Sequence, residues 1–249
     1  MKQLLLLFCF FLTSCDEEAK SVKNENISKQ YITVLGIAQD AGYPHIGCQK
    51  TCCAHFYNGH YKKQKVVSLG LVDTKNKQKW LFEASPDIAT QLADLAQNHL
   101  KTGTLIDGIF LTHAHIGHYT GLMYFGREAF GKKGTKVFAM PKMITYLTKN
   151  GPWSQLVELE NIVFEKLQNE ATIVLNTQLK VTPFIVPHRD EFSETVGYKI
   201  EGENKTALFI PDINKWQKWQ KNIVAEVKKV DYAFLDATFF KDGEINRPM

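Results

Sequence analysis

Residues 107–121 read D-G-I-F-L-T-H-A-H-I-G-H-Y-T-G, and three of the chain's eight histidines, His113, His115 and His118, fall within six positions there. An apolar run, Ile109-Phe110-Leu111, leads into them. Imidazole keeps a lone pair on one ring nitrogen at neutral pH and so ligates zinc-like metals. Side chains of an extended segment alternate with period two, so His113 and His115 project to one side. His118, just past Gly117, can turn back toward them at the entrance of a helix expected over about residues 121–130. Three imidazoles at this spacing after a buried strand point to a metal site rather than to hydrated loop histidines.

The same local context recurs twice downstream. His188 follows Phe184-Ile185-Val186-Pro187, and Asp212 follows Leu208-Phe209-Ile210-Pro211. Each is a donor placed just beyond a buried strand, and loops at one edge of a sheet converge in space. Strands are expected at residues 31–38, 66–73, 79–84, 108–111, 136–139, 207–210 and 232–235, the first of them buried. Ser85 and Pro86 suit the N-cap and first position of a helix running to about residue 100. A shorter helix is expected over 143–148, and Trp216, Trp219, Ile223, Val224 and Val227 mark an amphipathic one. Residues 157–198 alternate in the manner of antiparallel strands, and 39–58 read as a long loop. Mixed elements in this order imply a layered α/β protein.

These residues carry a family resemblance. T-H-A-H-I-G-H, a later histidine and then an aspartate after a strand resemble the metallo-β-lactamase superfamily, whose fold is an αββα sandwich. L-G-I-A-Q-D-A-G-Y-P-H-I-G-C at 35–48, F-E-A-S-P-D-I at 82–88, V-P-H-R-D-E-F-S-E-T-V-G-Y at 186–198 and I-P-D-I-N-K-W at 210–216 are similar to the branch containing pyrroloquinoline-quinone biosynthesis protein B. The resemblance covers residues from about 31 to the end. It implies that His113, His115 and His188 hold a first metal, and that His118 and Asp212 serve a second, Asp212 bridging and a candidate catalytic group. The implied cofactor is one or two zinc ions, with iron or manganese as alternatives. The implied chemistry is attack by a metal-bound hydroxide on a small-molecule ester, lactone, lactam or phosphodiester. An iron-dependent oxygenase and a non-catalytic ligand-binding lipoprotein on the same scaffold are the competing functions.

Two departures bear on the second metal. The superfamily's commonest motif has aspartate where this chain has Gly117, and no histidine follows His188. Either the second site is incomplete, or the sandwich lacks its C-terminal end. Asp87, Glu83, Asp40 and Asp236 are candidate replacement oxygens. Asp87, the one weighed as a catalytic group, also suits the simpler role of a first-turn acid facing a helix dipole.

The 249 residues, 44% hydrophobic and 22% charged, suffice for one substantial core. A net charge of +4 on scattered lysines, without aromatic-basic interleaving, gives no nucleic-acid surface. Residues 1–14 read as a lipoprotein signal peptide: Lys2, nine apolar residues, then Leu12-Thr13-Ser14-Cys15, which resembles a lipobox with lipid attachment at Cys15. Polar residues 15–30 read as a tether to a domain at 31–249. The expected location is therefore the bacterial cell envelope, lipid-anchored at the outer membrane, periplasmic or surface-exposed. Cys48, Cys52 and Cys53, flanked by His45 and His55, suit either a structural metal or a disulfide.

Overall fold

The computed structural model describes residues 29–40 and 42–239. The lipobox with Cys15, the tether as far as residue 28, and residues 240–249 lie outside them. Among the described residues no helix is long and apolar enough to cross a membrane.

Two sheets are present. The first has six strands in sequence order: β1 (Gln30–Gly36), β2 (Ser68–Asp73), β3 (Gln78–Phe82), β4 (Gly108–Phe110), β5 (Thr135–Ala139) and β6 (Ile162–Lys166). The second contains β7 (Ile173–Val174), β8 (Lys180–Ile185), β9 (Val196–Glu201), β10 (Thr206–Ile210) and β11 (Tyr232–Leu235), in the order β11-β10-β9-β8-β7.

Strand alternation explains the layers. Trp80, Phe82, Phe110 and Phe138 face inward and meet Val181, Tyr198 and Phe209 of the second sheet. Phe110 stacks between Phe82 and Phe138, at centroid distances of 4.9 and 4.2 Å. The alternate residues Leu81, Ile109 and Val137 face outward, onto α2 (Ile88–Asp94), α4 (Pro141–Lys149) and α5 (Trp153–Glu158) through Leu92, Leu147 and Leu156. Leu208 and Ile210 pack outward against Trp219, near α6 (Ile223–Val227). Helix, sheet, sheet, helix is the αββα sandwich that the resemblance implies.

Pairing direction positions the site. β1 and β3 both run antiparallel to β2, and β3 to β6 are mutually parallel, so the C-terminal ends of β1, β3 and β4 share one edge. β8 and β10 both run antiparallel to β9, with β11 parallel to β10, so their C-terminal ends also share one edge.

Several expected elements take a different form. The first strand is a sheet edge with only Leu35 buried, and it begins at Gln30, inside the expected tether. The cysteine loop contains a helix, α1 (Thr51–Tyr57). The Ser85 hydroxyl accepts the Asp87 N–H at 3.1 Å, but the helix itself starts at Ile88 and finishes in a π-turn over Leu95–His99. The helix after the histidines comes early, as α3 (Ile116–Tyr119), and tightens to a 3-10 turn over Thr120–Phe125. Close docking explains that tightening: Gly121 donates to the Ala84 carbonyl at 2.9 Å, where an added Cβ would lie 2.1 Å from the Ser85 carbonyl oxygen. β6 joins the first sheet in parallel, because the helical crossover through α4 and α5 returns the chain in the same direction. The tryptophan helix is split, since Asn222 accepts the Ala225 N–H at 3.0 Å and caps a new helix.

Candidate metal centre

The two sheet edges meet where these strands end. β1 is followed by Asp40, β3 by Glu83, and β4 by His113, His115 and then His118 within α3. From the second sheet, His188 follows β8, Asp212 follows β10 and Asp236 follows β11.

Four donors converge from three of these loops: His113, His115, His188 and Asp212 each offer an atom within 4.8 Å of the others. His113 Nε2 and His188 Nε2 each lie 2.9 Å from His115 Nδ1. Asp212 Oδ2 is 3.4 Å from His113 Nε2 and 3.2 Å from His188 Nε2. One ring nitrogen carries a single proton or a single lone pair, so His115 Nδ1 cannot form two good hydrogen bonds with two other ring nitrogens at once. Lone pairs converging on a common point suit a cation better than a hydrogen-bond network does.

Two of the three remaining ring nitrogens are oriented from outside, while His188 Nδ1 is buried without a hydrogen-bond partner. The Thr112 hydroxyl is 2.9 Å from His113 Nδ1, and Glu191 Oε2 is 3.0 Å from His115 Nε2. Outer partners of this kind fix which nitrogen of a ligating histidine faces the metal.

A second group, Asp40, His118 and Asp212, shares the Asp212 carboxylate. His118 Nε2 lies 2.9 Å from Asp40 Oδ1 and 3.8 Å from Asp212 Oδ2, while Glu83 Oε1 faces His118 Nδ1 at 3.6 Å. Glu83 is fully buried and adopts φ 78°, a conformation costing about 1–2 kcal/mol for a non-glycine residue.

Burial, helped by the neighbouring His118, pushes His113 down to about 3, so its ring is neutral with a free lone pair. Burial alone would do the same to His118, but the Glu83 and Asp40 carboxylates hold it up at about 10. Burial opposes ionisation of Asp212, yet His113 and His188 outweigh it and keep that carboxyl well below the usual range.

Hydrogen bonds tie the histidine segment to the second sheet. The Tyr198 hydroxyl donates to the Leu111 carbonyl, Val196 N–H to the Thr112 carbonyl at 3.2 Å, and Ala114 N–H to Ser193 Oγ at 2.9 Å. Tyr198→Phe strands a buried carbonyl beside the ligands and is expected to cost about 1–3 kcal/mol in chemical unfolding. An unchanged midpoint would show that this bond does not secure the segment.

Gln39 and Asp236 brace the Asp212 turn. Gln39 Nε2 donates to the Pro211 carbonyl at 3.2 Å and to Asp236 Oδ1 at 3.1 Å, and Asp236 Oδ2 accepts the Ile213 N–H at 3.2 Å. Thus of the four candidate oxygens, Asp40 joins the donors, while Glu83 and Asp236 stand behind them. Asp87 is engaged elsewhere, with Oδ1 3.0 Å from Lys63 Nζ and Oδ2 accepting the Val66 N–H at 2.9 Å. Glu191, Thr112 and Gln39 were not singled out from sequence, where each is an ordinary polar loop residue.

The three described cysteines are free thiols, so no disulfide joins them; Cys48 Sγ and Cys52 Sγ are 4.0 Å apart, and all three sulfurs lie within 4.8 Å of one another. His45 and His55 are not part of that group.

A family described as the β-lactamase superfamily domain matches residues 78–249. Coenzyme PQQ synthesis protein B of Gluconobacter oxydans (strain 621H) is 27% identical over 234 residues, covering 87% of this chain and 74% of that protein. Its namesake in Klebsiella pneumoniae (strain 342) is 35% identical over 97 residues, covering 37% of this chain and 32% of that protein. Among solved structures, zinc-bound PqqB from Methylobacterium extorquens superposes with a TM-score of 0.68 at 22% identity, covering 82% of this chain and 72% of that one. A diphosphatase of the PhnP family superposes with a TM-score of 0.53, also at 22% identity, covering 75% and 68%. These two structures share the fold.

Proposed function

The chain belongs to the β-lactamase superfamily, and from that premise we propose that it is a metal-dependent hydrolase of a small-molecule ester, lactone, lactam or phosphodiester. The observation that carries the proposal is the convergence of three imidazole nitrogens at a partly exposed edge, beside a carboxylate that the second group shares. Side-chain exposure is 11% at His115 and 16% at Asp212. Structural zinc is closed off by four ligands, whereas hydrolytic sites use about three protein ligands and leave a position for water. His113, His115 and His188 would hold the ion through Nε2, Nδ1 and Nε2. A bound zinc-like ion supplies an activated water and an electrophile for a carbonyl or phosphoryl oxygen.

The chain's own residues set the rest. Asp212 is so firmly ionised that it is a poor proton acceptor; it serves as an anionic anchor. Glu191, half-exposed beside His115, holds that ring in place from the mouth of the site. The outcome that tests the reading is hydrolysis of chromogenic lactones, lactams and phosphodiesters, abolished by chelation and restored by added zinc. Activity indifferent to chelation would sink it.

The lipobox-like Leu12-Thr13-Ser14-Cys15 supports placing this hydrolase on a bilayer. Cys15→Ser is then expected to shift the protein from the detergent phase to the aqueous phase in partitioning; identical partitioning of both forms would refute the anchor.

A further inference from the structure

We infer that Asp40 is a ligand of the second half of the centre, taking the space that a side chain at position 117 would fill. The inference rests on the metal reading above and identifies the donors of a second divalent cation as Asp40, His118 and Asp212. It starts from Gly117, the residue between the second and third histidines of the cluster. A Cβ built there would lie 2.6 Å from both Asp40 Cα and Asp40 Oδ1. Glycine at 117 is therefore the condition for Asp40 to enter the site. The oxygen absent from the histidine segment is delivered from the loop after β1, seventy-seven positions earlier by number (117 minus 40).

Geometry distinguishes this from an ordinary ion pair. Asp40 Oδ1 and His118 Nε2 approach to 2.9 Å, yet both are buried and neither is aligned for a hydrogen bond. His118 is fully buried, so no solvent completes it. Two potential ligand atoms this close, each buried and without an aligned hydrogen bond, suit a shared cation. Asp212 Oδ2, 3.8 Å from His118 Nε2, faces the same region and also belongs to the first donor set. Glu83, behind His118 Nδ1 at 3.6 Å, stands where an outer carboxylate orients a ligating imidazole. Gln39 holds the Asp40 loop to the Asp212 turn through the Pro211 carbonyl, so the two carboxylates are fixed relative to each other. One imidazole and two carboxylates make this half harder than the three-histidine half, and it suits zinc, manganese or iron(II) over softer ions.

The test is zinc stoichiometry of the full chain, by calorimetric titration of chelated protein and by elemental analysis. Wild type is expected to take up two ions per chain. Asp40→Asn, which keeps the side-chain shape, is expected to take up one with the three-histidine ion unchanged in affinity. Gly117→Ala removes no ligand, but its methyl group displaces Asp40 and should cause the same loss. Thermal melts of both variants check folding, and Asp40→Ser repeats the measurement if Asp40→Asn does not fold. Two ions retained in Asp40→Asn would overturn the inference. One ion in wild type would overturn it while leaving the three-histidine reading intact, and no ion in wild type would overturn both.

Discussion

His115→Ala is expected to remove bound metal and turnover together while leaving the fold in place. His115 Nδ1 is the atom that both His113 and His188 approach at 2.9 Å, so its loss opens the donor set at its centre. What remains is two imidazoles and one carboxylate oxygen, with one fewer neutral nitrogen to offset dehydration of the ion. Losing a mere outer partner of a ligand costs about 10–100-fold in metal affinity, so losing the ligand should cost more. Turnover should fall by about 10³-fold or more, the scale seen when one stabilising group leaves a polar active site. The backbone has little reason to move, because Ala114 stays bonded to Ser193 and the Thr112 carbonyl to Val196. Elemental analysis, steady-state kinetics and a thermal melt on one preparation check all three parts. Full activity with metal still bound would show that His115 is not a ligand.

Asp212→Ala should have the second-largest effect, since Asp212 Oδ2 reaches His113, His188 and His118 at 3.4, 3.2 and 3.8 Å. Both donor groups lose their shared anion, so the second ion should be lost and the ion on the three histidines held more weakly, with a matching fall in activity. Asp212→Asn keeps an oxygen but not its charge, and should weaken binding without abolishing it. A pH signature separates charge from shape in the metal-free protein. The Asp212 carboxyl is held far below its unfolded value of about 4, so its stabilising contribution is present above pH 4 and is lost as pH falls through the folded value. Wild type should therefore lose stability on acidification below about pH 4, more steeply than Asp212→Asn. Parallel acid-unfolding curves would contradict the pairing.

Much of this arrangement is legible in the sequence because it depends on short-range pattern. Apolar runs ending in His113, His188 and Asp212 mark donors at strand ends, and the layered α/β order follows from the alternation of elements. What stays hidden depends on long-range geometry. Nothing near Asp40 signals that its carboxylate lies against Gly117, since that contact requires β1 and β4 to point the same way in one sheet. Gly117 reads as a lost ligand in the sequence and is filled space in the fold. The Tyr198 hydroxyl and Glu191 are likewise ordinary residues until β9 and the loop before it are laid beside the histidine segment. The split tryptophan helix turns on one capping side chain, Asn222, which period-based reading passes over.

Metal content is the most direct measure of the central claim, namely that these loops form a hydrolytic metal centre. Chain purified without added metal and exhaustively dialysed should retain at least one zinc-like ion per molecule. Stripping that ion should abolish hydrolysis, and stoichiometric return should restore it. Chain that retains no divalent ion, and that hydrolyses or fails to hydrolyse equally with and without added zinc, would contradict the account.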